Sequence, residues 1–356
     1  MRSKPAKILI ITYYWPPSGG AGVQRWLKFT KYLPSSGWLP VVLTVKPEYA
    51  AYPFKDISLY GEIPLDVEIH RTKAINYFSL YNKDQTKIPH SGFASGSDKS
   101  RKNMISRFIR GNFFIPDPRK GWNRYAFRKA CELIKIENIS HIITTSPPHS
   151  TQLIGLKLKR KFPNIKWVAD LRDPWTDIYY YDMFKPSLLA KWADREMEKN
   201  VLTKADSIIT VGQTLASILG SKGEKISHKI HVLPNGYDEE DFEGILPITP
   251  DTFTITYVGS LSPAYPVNGL IEAVKGIRVN DKPVSLKFVG TVPEPIQELF
   301  PVNEEGAKPD FIQYCEHPEA IRYMMESTML LLIIPDHPSN KSILTGKIFE
   351  YLATGK

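Results

Sequence analysis

The chain has 356 residues, a length that suits two domains, and its 42% hydrophobic content is ordinary for a globular protein. Its two cysteines, Cys131 and Cys315, lie far apart, which excludes a disulfide framework and a cysteine-based metal site. The first apolar run ends at Ile11, too early for a signal peptide, and no later run is as long as a membrane span. These features predict a cytoplasmic protein.

The net charge of +9 comes from one part of the chain. Between Lys99 and Lys129 there are ten basic residues and a single acid, Asp117, so this window accounts for the whole excess. The remainder is neutral overall. A local basic segment indicates a surface for an anionic partner rather than a generally basic protein.

Short Val- and Ile-rich segments alternate with amphipathic ones, which predicts an α/β fold with parallel sheets covered by helices. Strands are predicted at 7–12, 40–45, 66–71, 140–145, 165–170, 206–211 and 229–233, and a second series at 253–258, 284–289, 310–315 and 329–334. Helices are predicted at 23–33, 122–137, 150–161, 186–202, 213–220, 268–277, 318–327 and 344–354. We expect two doubly wound Rossmann-like domains facing across a cleft, residues 1–240 and 241–356, with an insertion around 72–121 in the first.

The segment Tyr13–Gly22 lies between the first strand and the first helix and contains Gly19 and Gly20. Glycine lets the backbone approach a phosphate closely, and the helix N-terminus adds unpaired N–H groups and the positive end of its dipole. The turn therefore predicts a phosphate-bearing ligand at the carboxyl edge of a parallel sheet.

The basic window contains an amphipathic stretch with aliphatic and aromatic residues on one arc and arginines on the other. The apolar arc is Met104, Ile105, Phe108 and Ile109, and the opposite arc holds Arg107 and Arg110. Two interpretations stay open: an interfacial helix on an anionic membrane, or a surface helix that packs its apolar face on the domain and leaves its arginines in water. No nucleic-acid reader motif accompanies the patch, so we predict no nucleic-acid partner.

Seven motifs follow one another in an order typical of one enzyme family. They are Tyr13–Arg25, Thr145–Ser150, Asp170–Trp175, Ala205–Gly212, Val232–Gly236, Tyr257–Leu261 and Thr345–Gly355. This succession resembles the family 4 glycosyltransferases of the two-domain GT-B fold, in particular bacterial members that build surface polysaccharides. The resemblance runs from Lys7 to the last residue.

The resemblance implies transfer of a sugar, with retention of its anomeric configuration, from a nucleotide diphosphate donor to a glycan acceptor. Residues 1–240 would be the acceptor side and residues 241–356 would bind the nucleotide sugar. The acceptor would be lipid-linked, and residues 99–129 would hold the enzyme on the anionic inner face of the plasma membrane as a peripheral protein.

The resemblance also implies roles for donor-binding residues. Backbone groups at Gly19, Gly20 and Gly259 would approach the diphosphate, whose growing negative charge the site must stabilise. Glu350 would hold the ribose hydroxyls. Lys347, one helical turn earlier, would neutralise the departing diphosphate, or would instead be a surface lysine paired with Glu350.

Two further residues, His149 and Asp173, are expected to be catalytic. His149 resembles the family's active-site histidine. Asp170, Arg172 and Asp173 follow a strand and would contact acceptor hydroxyls or form a structural ion-pair cluster, with Asp173 also capping the turn before Pro174. The chain has no Asp-x-Asp triplet and no dense cluster of metal-ligating residues, so we predict no metal and no cofactor.

The sequence also departs from the family pattern. Ser342 replaces the first motif glutamate, Ser260 replaces a basic residue, and residues 264–268 lack the usual lysine. The chain stops at Lys356, where relatives continue, which predicts an incomplete C-terminal domain. Two alternatives therefore stay open: a catalytically incompetent truncated module that binds membrane or a partner enzyme, and another GT-B enzyme such as a nucleotide-sugar epimerase.

Overall fold

The computed structural model describes residues 5–77, 101–178, 180–246, 248–261, 265–275, 277–300, 309–334 and 344–356, without the side chains of residues 21 and 101–106. Ser342 and the side chains of Met104 and Ile105 lie outside this description. The chain separates into two compact units, and the first ends at Pro234. We call them unit 1 and unit 2. The predicted boundary lies six residues further on.

Unit 1 is built on a seven-stranded parallel sheet of order β3-β2-β1-β4-β5-β6-β7. Its strands are β1 (Ala6–Ile11), β2 (Trp38–Val45), β3 (Glu68–Thr72), β4 (His141–Ser146), β5 (Lys166–Leu171), β6 (Ser207–Thr210) and β7 (Ile230–Val232). Its helices are α1 (Ala21–Tyr32), α2 (Arg101–Phe113), α3 (Asn123–Ile136), α4 (Gln152–Lys161), α5 (Leu188–Lys204) and α6 (Gln213–Gly220).

The central strand shows why this sequence forms such a sheet. Leu9, Ile10 and Ile11 are consecutive in β1 and all are fully buried, because helices cover both faces of the sheet. Ile8 pairs with Pro40 of β2 on one side and with His141 of β4 on the other. The strand order reverses at β1, so the carboxyl end of this strand is where ligands of such sheets bind.

Unit 2 contains a four-stranded parallel sheet of order β12-β11-β8-β13 and a separate two-stranded hairpin. Its strands are β8 (Thr254–Val258), β9 (Arg278–Val279), β10 (Lys282–Pro283), β11 (Ser285–Val289), β12 (Pro309–Ile312) and β13 (Met329–Leu330). Its helices are α7 (Asn268–Val274), α8 (Glu294–Gln297), α9 (His317–Met325) and α10 (Lys347–Ala353). Tyr257, Leu286 and Phe288 are fully buried at its centre.

The predicted α/β fold with two doubly wound, Rossmann-like units is confirmed. Every predicted strand and helix exists, with ends that differ by a few residues. The hairpin β9–β10 and the short helix α8 were not predicted. Within the described residues, no helix combines the length and the apolar character needed to cross a bilayer.

Candidate functional site

The predicted glycine turn lies at the carboxyl end of β1 and leads into α1. Gly20 has φ +84° and stands at the N-cap of α1, a conformation that favours glycine. The N–H of Gly19 donates to the carbonyl of Phe54 at 3.1 Å, so it is already engaged within unit 1. The preceding residue, Ser18, is fully buried, and its backbone forms an isolated antiparallel β-bridge with Lys55. The turn is thus fixed by backbone contacts on one side, and its open side begins at Gly20.

Asp170, at the end of β5, is fully buried and holds the interior of unit 1 together. Its Oδ2 accepts hydrogen bonds from Trp26 Nε1 and Thr145 Oγ1, both at 2.7 Å, and its Oδ1 lies 3.5 Å from Arg25 Nε. Arg25 in turn donates to the carbonyls of Leu233 and Pro234. Burial lowers the pKa of Arg25, and Asp170 opposes that effect. Of the two predicted roles, this geometry supports the structural ion pair for Asp170.

The neighbouring motif residues stay close to the edge of the sheet. Arg172 donates from its backbone N–H and its Nε to the carbonyl of Ser146, which fixes the guanidinium at the end of β4. Burial raises the pKa of the Asp173 carboxyl, against the opposing charge of Arg172. Asp173 is therefore a half-buried acid beside a fixed cation.

His149 follows β4 and begins a short 3₁₀ turn, His149–Thr151. Its ring stacks on Trp175, with centroids 5.0 Å apart and planes 12° apart. Burial, with Lys222 and Arg172 nearby, lowers its pKa to about 3, so the imidazole is neutral at physiological pH. Its Nδ1 is inaccessible and has no hydrogen-bond partner in the described structure. His149 is therefore a neutral ring held flat against an indole.

A cavity opens beside this stacked pair, entirely within unit 1. Asp194 of α5 accepts hydrogen bonds there from Trp175 Nε1 at 2.7 Å and Tyr181 Oη at 3.0 Å, and burial raises its pKa to about 6. The Tyr14 hydroxyl is buried and has no partner in the described structure. The lining of this cavity includes aromatic and charged residues: Tyr14, Arg110, Phe114, Asp117, Arg119, His149, Trp175, Tyr180, Tyr181, Phe184 and Asp194. We call it the α2 cavity, because α2 supplies Arg110 and Gly111 to its wall.

The corresponding edge in unit 2 is almost bare main chain. Gly259 ends β8 at φ +123° and Gly290 ends β11 at φ +128°. A Cβ on Gly290 would lie 2.4 Å from the carbonyl oxygen of Gly259, so the two backbones touch. Only glycine combines this φ with such a close approach. The N–H groups of both glycines donate within the sheet, at 2.7 and 2.9 Å, so the edge offers a ligand main chain without Cβ atoms, and this suits a ligand that must come close to the backbone.

Lys347 and Glu350, both on α10, lie at this edge with different partners. Lys347 Nζ donates to the Tyr257 hydroxyl at 2.9 Å and lies 4.1 Å from the centre of that ring. It also occupies the space beside Gly259, 2.6 Å from where a Cβ would be. Burial lowers its pKa to about 8, with Glu350 opposing. Glu350 Oε1 lies 3.0 Å from His317 Nε2. The alternative was an ion pair between Lys347 and Glu350 at the surface, but Lys347 instead contacts Tyr257 and Glu350 contacts His317.

Neither a protein-family model nor a curated protein sequence matches the chain. Solved structures do. The lipopolysaccharide outer core galactosyltransferase WaaB, in its apo form, has a TM-score of 0.55 at 10% identity, covering 98% of this chain and 78% of that one. The catalytic domain of starch synthase IV from Arabidopsis thaliana, bound to ADP and acarbose, has a TM-score of 0.56 at 11% identity, with 92% and 78% covered.

A third similar structure is a point mutant of TarM from S. aureus, in complex with Fondaparinux, alpha-GlcNAc-glycerol and UDP. It has a TM-score of 0.55 at 9% identity and covers 98% of this chain and 84% of that one. These likenesses, together with the two parallel sheets, decide the fold. The chain has a GT-B fold.

Within this GT-B chain, sequence reasoning missed several residues that shape the two edges. Tyr257, which holds Lys347, and His317, which holds Glu350, lie far from those residues in sequence. Asp194 in the α2 cavity belongs to none of the motifs, and Tyr14 belongs to the first motif but was given no role of its own. Trp175 is the last residue of the motif Asp170–Trp175, which directly follows a predicted strand. Its position at the edge of the sheet could therefore have been predicted from the sequence.

Proposed function

We propose that this protein transfers a sugar from a nucleoside diphosphate donor to a glycan acceptor. The observation that carries the proposal is the edge of unit 2, where two touching glycines leave the main chain without Cβ atoms and one helix supplies Lys347 and Glu350. The diphosphate would lie along the glycines beside the Lys347 ammonium, and Glu350 would accept hydrogen bonds from the ribose hydroxyls. Three of the structures with this fold carry ligands or names of such enzymes.

The chemistry follows from this placement. The bond between the anomeric carbon and the diphosphate oxygen breaks, the acceptor hydroxyl oxygen bonds to that carbon, and its proton is released. The leaving diphosphate gains negative charge, which Lys347 and the oriented peptide dipoles stabilise most strongly in the transition state. We propose that no metal ion or other cofactor takes part, because the sequence lacks the carboxylate triplet that would hold one. We further propose retention of anomeric configuration, as the family resemblance implies.

The α2 cavity is the proposed site of the acceptor sugar. Its aromatic walls suit the apolar faces of a sugar ring, and Tyr14, His149 and Asp194 offer polar groups for hydroxyls. The acceptor would be a lipid-linked glycan of surface polysaccharide assembly, met at the inner face of the plasma membrane. The basic segment 99–129, of which several residues between Arg110 and Arg119 line the cavity, supports this part of the proposal.

The donor test is a thermal-shift series with UDP-, GDP-, ADP- and dTDP-linked sugars on the wild type, Glu350→Ala and Glu319→Ala. Glu319 is an exposed glutamate on α9 of the same unit and serves as the matched control. At about 100 times its dissociation constant a donor stabilises the fold by roughly 2.7 kcal/mol. One nucleotide should stabilise the wild type and Glu319→Ala but not Glu350→Ala.

A cooperatively folded wild type that responds to none of these donors would contradict the proposal and favour the catalytically incompetent module. If a donor binds, incubation with a lipid-linked glycan extract and proton NMR of the product tests the rest. Retention predicts the same anomeric configuration in donor and product. An inverted product would remove the retaining mechanism, and release of an epimerised nucleotide sugar would favour the epimerase alternative.

A further inference from the structure

The orientation of α2 is the reverse of what its helical wheel favours for a helix on a globular domain. Arg110 points inward, with its guanidinium carbon 3.8 Å from the centre of the Phe184 ring, and it lines the α2 cavity. Phe108 and Phe113 point outward and are 50% and 67% exposed. The alternative in which α2 packs its apolar arc on the domain and leaves its arginines in water is therefore wrong for Phe108 and Arg110, while Ile109 of the same arc is half-buried.

Close contacts fix this orientation. A Cβ on Gly111 would lie 2.3 Å from the carbonyl oxygen of Phe184, so only glycine allows α2 to approach this segment. Asn112 donates from Nδ2 to the carbonyl of Lys185 at 3.2 Å and accepts at Oδ1 from the N–H of Ser187 at 2.8 Å. Ser187 is the N-cap of α5. These contacts hold α2 next to the first turn of α5, so that the exposed side chains of the two helices lie on neighbouring parts of the surface.

The first turn of α5 adds three large apolar side chains to that surface. Leu188, Leu189 and Trp192 are 87%, 73% and 64% exposed, and Met183 just before them is 45% exposed. A cluster of this size on a folded unit marks an interaction site rather than ordinary surface. We call Phe108, Phe113, Met183, Leu188, Leu189 and Trp192 the α2–α5 surface.

The charges around the α2–α5 surface select its partner. Helix α2 contains four basic residues and no acid, but its Arg110 points into the cavity, so the cations placed beside these side chains include Lys185 and Lys191, in or next to the first turn of α5. The neighbouring acid Asp182 is neutralised by Lys191 at 2.7 Å. Leu, Phe and Trp side chains surrounded by Lys and Arg are the composition that binds at the interface of an anionic bilayer.

We infer that the α2–α5 surface docks unit 1 on an anionic lipid bilayer, with its apolar side chains in the headgroup–acyl boundary and its cations at the phosphates. This deepens the proposed function, since the α2 cavity would then open beside the layer that displays a lipid-linked acceptor. It also extends the predicted membrane segment beyond residues 99–129 to the start of α5, where the most exposed side chains of the α2–α5 surface lie.

The test is co-sedimentation of the full chain with phosphatidylcholine vesicles, with and without phosphatidylglycerol. The triple variant Leu188→Gln, Leu189→Gln, Trp192→Gln removes apolar groups without adding charge. Its matched control is Leu65→Gln with Ile136→Gln, two residues 106% and 70% exposed that precede β3 and β4 at the opposite, amino edge of the sheet. We expect wild type and control to bind the anionic vesicles and the triple variant to partition at least roughly tenfold less. Salt should weaken wild-type binding.

The inference would be overturned if the wild type did not co-sediment with anionic vesicles, or if the triple variant co-sedimented with them as much as the wild type does. It would also be overturned if sedimentation equilibrium without lipid showed a wild-type dimer that the triple variant converts to monomer, since a second copy would then cover the surface. The donor thermal shift depends on unit 2 residues and should be the same in all three proteins. If no donor raises the melting temperature of any of the three proteins, the proposed function is contradicted and the docking surface is not. The difference in vesicle binding between the wild type and the triple variant tests the docking surface alone.

Discussion

Units 1 and 2 present opposite kinds of surface at the carboxyl edges of their parallel sheets. In unit 1 the edge is crowded with side chains, among them Asp170, the stacked His149–Trp175 pair and Asp194. In unit 2 the edge at Gly259 and Gly290 is bare backbone, and Lys347 and Glu350 reach it from a single helix. In the proposed function, the first kind of edge recognises the shape and hydroxyls of the acceptor, and the second lets the diphosphate of the donor approach the main chain.

The largest expected effect is the loss of stability when the buried Arg25–Asp170 pair of unit 1 is broken, compared with the loss when an exposed ion pair is broken. Asp170→Ala leaves Arg25 buried without its carboxylate and Trp26 Nε1 without an acceptor, and should lower the free energy of unfolding by roughly 3–5 kcal/mol. Asp182→Ala, which breaks the exposed pair with Lys191, should cost under about 1 kcal/mol. Chemical denaturation measures both. Equal, small losses would show that unit 1 does not depend on this pair.

The next effect tests the bare edge of unit 2. Gly290→Ala places a Cβ 2.4 Å from the Gly259 carbonyl at φ +128°, and should destabilise unit 2 by roughly 2–3 kcal/mol and weaken donor binding. Gly269→Ala is the control, because Gly269 lies in α7 with open space where its Cβ would be. Alanine there should be neutral or stabilising by about 0.5–1 kcal/mol. Two indistinguishable variants would mean that the glycine contact is not required.

The third effect concerns the cavity acid. The pKa of Asp194 is raised to about 6 in the folded protein from 3.8, so the folded state binds more protons than the unfolded state between these values. Its contribution to stability is present below about pH 4 and is lost as the pH rises through 6. The free energy of unfolding of Asp194→Asn relative to that of the wild type should therefore be about 1–2 kcal/mol higher at pH 7.5 than at pH 4. Denaturation curves of both proteins at both pH values measure this. A difference that does not change with pH would show that Asp194 does not titrate in this window.

The smallest effect is on donor affinity. The pKa of Lys347 is lowered to about 8, so a diphosphate that binds beside the ammonium raises that pKa and takes up a proton when the pH is above 8. Calorimetry of nucleoside diphosphate binding at pH 8.5, in buffers of different ionisation enthalpy, should show this uptake in the wild type. Lys347→Met should abolish it and weaken binding roughly tenfold. Uptake that persists in the variant would assign the proton to another group.

The fold could be predicted from the sequence because helices cover both faces of these sheets. Their strands are therefore continuous apolar runs such as Leu9–Ile11, which their shortness and the helical patterns between them identify. The missed hairpin had its own signal, since Asn280 and Asp281 take positive φ in the turn and stand between two short polar strands. Those strands bury little, and so the hydrophobic pattern did not reveal them.

The candidate site could be predicted only in part. Motif order indicated Gly259, Lys347, Glu350 and His149, but their partners come from distant segments: Tyr257 lies 90 residues from Lys347 and His317 lies 33 residues from Glu350. The inward face of α2 was not predictable from its wheel, because contacts of Gly111 and Asn112 with residues 184–187 decide it. Tertiary contacts of this kind leave no periodic trace in the sequence.

The contact between Gly259 and Gly290 limits how selectivity can change in this protein. A wall made of main chain offers no side chain to exchange, so substitution there can only move the wall or destroy it. Under the proposed function, variation in which nucleotide or sugar is accepted must come from residues that project toward the edge from elsewhere, such as those of α10. Libraries intended to redirect the donor should therefore randomise the helix and keep both glycines fixed.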